Sequence, residues 1–102
     1  MTAPRSAMQE VAPQLADYTA NVLFGDMWER PGLSKRDRSL ITVATLTALY
    51  RTGQLPGHIG RALDNGVTKE EIGEIITHIA FYAGWPTAAN AAPIAKQVFD
   101  SR

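Results

Sequence analysis

Cysteine is absent from the 102 residues. That absence removes disulfides, thiolate nucleophiles, iron–sulfur ligation, Cys-built zinc sites and dithiol redox chemistry together. Only oxygen and imidazole chemistry remains. An excess of charge of either sign is also missing: ten Lys plus Arg balance ten Asp plus Glu, for a formal net charge of zero. No basic field exists to recruit nucleic acid or an anionic membrane, so neither is expected as a partner. No apolar run approaches the roughly 20 residues that cross a bilayer, and Met1-Thr2-Ala3-Pro4-Arg5 holds no hydrophobic leader core. The simplest expectation is a cytoplasmic protein.

What is present is an ordinary globular mix, 45% hydrophobic and 20% charged, of a length that suits one domain. A chain this short buries roughly 65% of its unfolded surface, enough for one core but not for a deep enclosed cavity as well. An active site is therefore expected between subunits, and zero net charge favours association.

Hydrophobic spacing predicts helices throughout. From Ser6 to Trp28 apolar residues recur every three to five positions, with a break near Ala12 imposed by Pro13. Arg30-Pro31-Gly32 ends this segment, and Ser34 caps a helix over about 35–50, with Asp37 placed to return the bond. That helix is apolar nearly all round and is expected to be central and buried. A short helix from about Pro56 to Asp64 stops at Asn65-Gly66. Thr68 and Glu71 form a capping box for the next helix, which runs to Gly84. Pro86 opens a last alanine-rich helix that Pro93 is placed to bend. The expected architecture is all-α, one domain over residues 1–102 with about five to six helices.

Two histidines carry the candidate chemistry. His58 falls beside the apolar stripe Leu55, Ile59, Ala62 and Leu63, on the polar face with Arg61 and Asn65; a cleft position and a half-exposed surface position both fit. His78, between Ile75 and Tyr82 at helical spacing, reads as a core or interface histidine. With no His-x-x-x-His pair and no carboxylate cluster at ligand spacing, no metal site is expected. Ser39 has no nucleophile-elbow setting. Lys35, Arg36 and Arg38 at a helix start oppose the macrodipole, which fits anion binding or neutralisation by Asp37 and solvent. Glu70, Glu71 and Glu74 read as a solvated helix start.

The stretch Trp28-Glu29-Arg30-Pro31-Gly32-Leu33-Ser34-Lys35-Arg36-Asp37-Arg38-Ser39-Leu40-Ile41-Thr42 resembles the W-x-R-P-G-L-x-x-R-x-R-S-L-x-T block of γ-carboxymuconolactone decarboxylases. Leu55-Pro56-Gly57-His58, Ala62-Leu63-Asp64-Asn65-Gly66-Val67-Thr68 with Glu70-Glu71-Ile72, and Tyr82-Ala83-Gly84-Trp85-Pro86 are similar to further blocks in the same order, over about residues 23–100. The resemblance implies the helical fold of the alkyl hydroperoxidase D-like superfamily and a trimer-based homo-oligomer, often a hexamer. The redox members of that superfamily use Cys-x-x-Cys-x-x-x-His and a glutamate; here the matching positions are Arg51, Gln54 and about Ser39, so that chemistry is not expected.

What the resemblance implies instead is cofactor-free decarboxylation of 4-carboxymuconolactone to 3-oxoadipate enol-lactone in aromatic catabolism, or of a related lactone acid. His58, Arg38 and Ser39 would be catalytic; Arg30, Trp28, Tyr82 and Trp85 would bind substrate, the three aromatics as walls of a dry pocket unless they serve the core. The segment before Phe24 is shorter than in family members with a longer first helix, a difference expected to bear on substrate choice. A non-redox binder, a structural oligomer or an isomerase of a related keto acid is the alternative.

Overall fold

The computed structural model describes residues 5–102; the Met1–Pro4 stretch, part of the segment read above for a leader core, lies outside it. All regular structure among the described residues is helical. The order is α1 (Ala7–Val11), α2 (Pro13–Tyr18), a π-helical turn (Thr19–Leu23), a 3₁₀ turn (Met27–Glu29), α3 (Lys35–Ala48), α4 (Leu55–Asp64), α5 (Lys69–Ala83) and α6 (Trp85–Asp100). None of these helices is long and apolar enough to cross a membrane. Two compact units divide the chain at Leu33–Ser34.

In the N-terminal unit the break at Ala12 is real: Ala12 closes α1 with φ −137° and ψ 68°, and Pro13 takes the first position of α2, where its missing N–H costs nothing. Ser6 caps α1 in a full capping box with Gln9. Past α2 the Thr19 hydroxyl donates to the Leu15 carbonyl at 2.8 Å, and the chain widens into π geometry, with the Phe24 N–H reaching back to Thr19.

The second unit holds the core. Val43, Leu55, Ile59, Ala62, Val67, Ile72, Ala91 and Ala95 are buried together, drawn from α3 through α6. On α4 the expected stripe is inside, with Leu55, Ile59 and Ala62 at most 1% exposed. Ser34 caps α3 by accepting from the Asp37 N–H at 3.0 Å, and Thr68 and Glu71 close the box on α5. α6 runs through Pro93 as one helix.

The expectation of a wholly buried α3 needs correction. Only Ser39, Val43 and Thr47 are buried, while Ile41 is 54% exposed. Threonine suits this helix because Thr42, Thr45 and Thr47 each donate to the carbonyl four residues back, at 2.7–2.8 Å. The buried Thr47 hydroxyl is thereby satisfied, and the apolar supply of α3 is split between the core and an outer face.

Helices α3 and α4 end in the same way. After α4, the N–H groups of Gly66 and Val67 donate to Leu63 and Ala62, with Gly66 at φ +98°; after α3, Tyr50 and Arg51 donate to Thr47 and Leu46, with Tyr50 at φ +61°. Both are Schellman closures, but only the first has the residue that tolerates a left-handed backbone. Tyr50→Gly is therefore expected to raise unfolding stability by about 1 kcal/mol and Gly66→Ala to lower it by about 1 kcal/mol. Urea midpoints of the two variants check this; equal shifts of the same sign would refute it.

Candidate functional site

The histidine and the arginine–serine pair come from adjacent helices, α3 and α4, which the core packs together. Ser39, on the second turn of α3, is 1% exposed, and its Oγ accepts a 3.0 Å hydrogen bond from Nδ2 of Asn65, the residue that caps α4. This bond ties the start of α3 to the end of α4. Arg38 turns partly inward, and its Nε is sealed from solvent. His58 lies seven residues before Asn65, so it sits about 10 Å further along the α4 axis at 1.5 Å per residue. An arginine side chain and a small organic acid can span that interval.

His58 is half-buried, and its Nδ1 is closed to water. Burial pushes its pKa below the ordinary histidine value, and the Arg61 guanidinium one turn later pushes the same way. Both effects favour the neutral imidazole, which donates from one ring nitrogen and accepts at the other. Arg61 also lines an open groove of about 640 Å³ along α4, walled in part by Gly57, Gly60 and the Arg102 side chain.

The basic cluster at the start of α3 separates into distinct roles. Arg36 pairs with Glu71 in the first turn of α5 and lies 3.7 Å from Asp37. The Thr68 backbone and Arg36 hold the Glu71 carboxyl below its usual range. Arg36 is therefore a structural tie between α3 and α5, whereas Arg38 is directed into the fold.

The remaining expected site residues are engaged elsewhere. Within the N-terminal unit, Trp28 is buried and packs against Phe24, with ring centroids 6.0 Å apart. Arg30 is exposed and grips Asp26 through Nε and Nη2, both at 3.2 Å. Its planar fork already faces a carboxylate of its own unit. In the second unit, Tyr82 and Trp85 are 79% and 64% exposed, so the core reading of both is overturned. For His78 the core half of the reading is overturned, because it is exposed on α5, where its ring stacks on Tyr82 at 4.8 Å. The helical period marks an apolar face but does not say whether this chain or another covers it. Among the described residues no three His, Asp or Glu side chains converge as metal ligands.

Asn65 and Arg61 are the site residues that sequence reading passed over. In the sequence Asn65 reads as a turn and polar-face residue, and its amide at a helix end is the signal for a side-chain tie.

These features define an all-helical protein whose candidate site works with imidazole, guanidinium and hydroxyl groups. The chain matches the Carboxymuconolactone decarboxylase family over residues 13–97 and belongs to it. It is 41% identical over 83 residues to a 4-carboxymuconolactone decarboxylase of Acinetobacter baylyi, covering 81% of this chain and 62% of that one. It is 34% identical over 77 residues to a nitrosuccinic acid decarboxylase of Metarhizium robertsii, covering 76% and 54%. A 15.0 kDa Paracoccus denitrificans protein described as uncharacterized is 30% identical over 95 residues, covering 91% and 71%. The chain thus spans somewhat over half the length of the two named decarboxylases.

The lowered pKa of His58 sets a pH dependence of folding. Between its folded value and the unfolded value of about 6.5 the unfolded chain binds more protons, so stability is full above that window and falls as pH drops through it. Glu71, also lowered, acts in a more acidic range. Denaturation midpoints are expected to fall between pH 7.5 and 5.5 in the native protein and to flatten in His58→Gln; an unchanged slope in the variant would assign the effect elsewhere.

Proposed function

We propose that the protein is a cofactor-free decarboxylase of 4-carboxymuconolactone or a closely related lactone acid. The observation that carries this reading is the half-buried His58, whose pKa burial lowers, held on a helix that Asn65 ties to the buried Ser39 beside Arg38. The family and the named relatives support it.

The chemistry needs little more than these groups. When the ring carbon loses CO2, the electron pair left behind delocalises through the unsaturated lactone to its carbonyl oxygen. The substrate is its own electron sink. The protein must hold carboxylate, stabilise the dienolate oxygen and return a proton to carbon. Arg38 offers a planar fork for a carboxylate, and Ser39 supports that turn of the helix. His58 donates to the dienolate oxygen; a carboxylate bound nearby opposes the Arg61 effect and favours the imidazolium that can deliver the proton. Arg30 serves only where substrate displaces Asp26 from its fork. Tyr82 and Trp85 serve as walls only where an assembly brings them over a site, and Trp28 is kept as a substrate-binding candidate on the resemblance alone.

A second reading takes a nitro acid as substrate, favoured by the similarity to the nitrosuccinic acid decarboxylase. A nitro group replaces the lactone carbonyl as electron sink, and the demands on arginine and histidine are the same.

Time-resolved CO2 release by metal-free protein from each acid is the test. His58→Ala is expected to lower turnover by roughly a hundredfold or more. Arg38→Ala is expected to raise KM or lower turnover while the helical circular dichroism is kept. Release that is indifferent to His58, or no release from either acid by folded protein, would overturn the reading.

A further inference from the structure

The turn that ends α4 does not call for asparagine. Asn65 lies at φ −88° and ψ 5°, a conformation compatible with most residues, and the left-handed position after it belongs to Gly66. Backbone groups alone close the helix: the Asn65 N–H donates to Arg61 and Ala62, that of Gly66 to Leu63 and that of Val67 to Ala62. The side chain of Asn65 serves another element, with Nδ2 donating at 3.0 Å to Oγ of Ser39 on α3. Ser39 in turn is 1% exposed inside a helix, a place where alanine is the better helix former and leaves no polar group to satisfy.

We propose that Asn65 is a positioning residue for the decarboxylation: acting through Ser39, it fixes the register of α3 along α4 and with it the offset between Arg38 and His58. The inference rests on the decarboxylase reading above. Apolar burial is a weak guide to register. Val43 of α3 shares the core with Leu55, Ile59 and Ala62 of α4, and burial of that kind draws helices together without a preferred direction. A hydrogen bond constrains length and angle together, and one made to a hydroxyl sealed from water has no competing solvent partner.

Both functional groups ride on the helices that this bond joins. Arg38 adjoins Ser39 on α3, and its Nε is closed to solvent. His58 lies on the same ten-residue helix that Asn65 caps, beside the buried Ile59. A substrate whose carboxylate sits on Arg38 must also meet His58, and a displacement of about 1 Å in such a pair costs roughly a hundredfold in rate. Slippage leaves the Arg38 fork able to take a carboxylate, so turnover suffers more than binding.

Steady-state CO2 release by the full chain is the test. Asn65→Ala is expected to lower kcat about ten- to hundredfold, with KM within about threefold of native and helical circular dichroism unchanged. Asn65→Gln keeps an amide to satisfy Ser39, so it folds even where the alanine variant does not; its extra methylene shifts the tie and is expected to lower kcat about tenfold. Asn65→Asp keeps the length of the side chain and accepts from the Ser39 hydroxyl, and is expected to hold kcat within about fivefold of native. In a Ser39→Ala background, Asn65→Ala is expected to change kcat by less than about twofold, because Asn65 acts through Ser39. An active native protein whose kcat is indifferent to the alanine and glutamine variants, a loss that Asn65→Asp shares in full, or additive effects of Asn65→Ala and Ser39→Ala would overturn this inference and leave the decarboxylase reading standing. Folded native protein that releases no CO2 from either acid would overturn both.

Discussion

Burial of one short stripe, Leu55, Ile59 and Ala62, governs the second unit. Helix α4 is only ten residues long and would be marginal alone, so its helicity comes from laying that stripe into the space between its neighbours. Once three consecutive turns are fixed inward, the rest of α4 has no rotational freedom. His58, adjacent to Ile59, falls at the edge of the buried stripe, and Arg61 falls outside it. The half-buried state of the imidazole is thus a consequence of core packing, and its depressed basicity follows from the same geometry.

Much of this was legible in local chemistry. Pro13 breaking the first segment, Ser34 and Thr68 as caps, Glu71 returning its bond and Gly66 ending α4 are interactions within three or four residues, and such signals sit side by side in the chain. The ordered blocks from Trp28 to Pro86 were enough to indicate the family. The ties that shape the site were not legible. Ser39 and Asn65 are 26 residues apart and Arg36 and Glu71 are 35 apart, so neither pairing leaves a periodic trace. Tyr50 at a left-handed position was also hidden, because hydrogen bonds of the turn hold a residue that local preference disfavours.

The apolar residues show a different limit. A hydrophobic period states that a face leaves water, not what replaces the water. On α4 the stripe is covered by the chain itself. On α3 and α5 the corresponding residues Ile41, Phe81 and Tyr82 stay exposed while Val43, Ile72 and Ala80 are inside. On α6 the buried positions are Ala88, Ala91 and Ala95, so this helix adds little apolar volume to a core built on Leu55, Ile59 and Ile72.

Electrostatics links the core to the candidate site. Arg36 is matched by Glu71 and Asp37, and Arg30 by Asp26, so these cations are engaged in holding structure. Arg61 acts on His58 with the sign that keeps the imidazole neutral. A carboxylate brought against the same histidine acts with the opposite sign, because it favours the charged form that burial and Arg61 disfavour. Burial and Arg61 thus favour the neutral imidazole, and an anion in place favours the imidazolium. Under the proposed reading, binding of an anionic substrate raises the proton affinity of the imidazole assigned to protonate the carbanion.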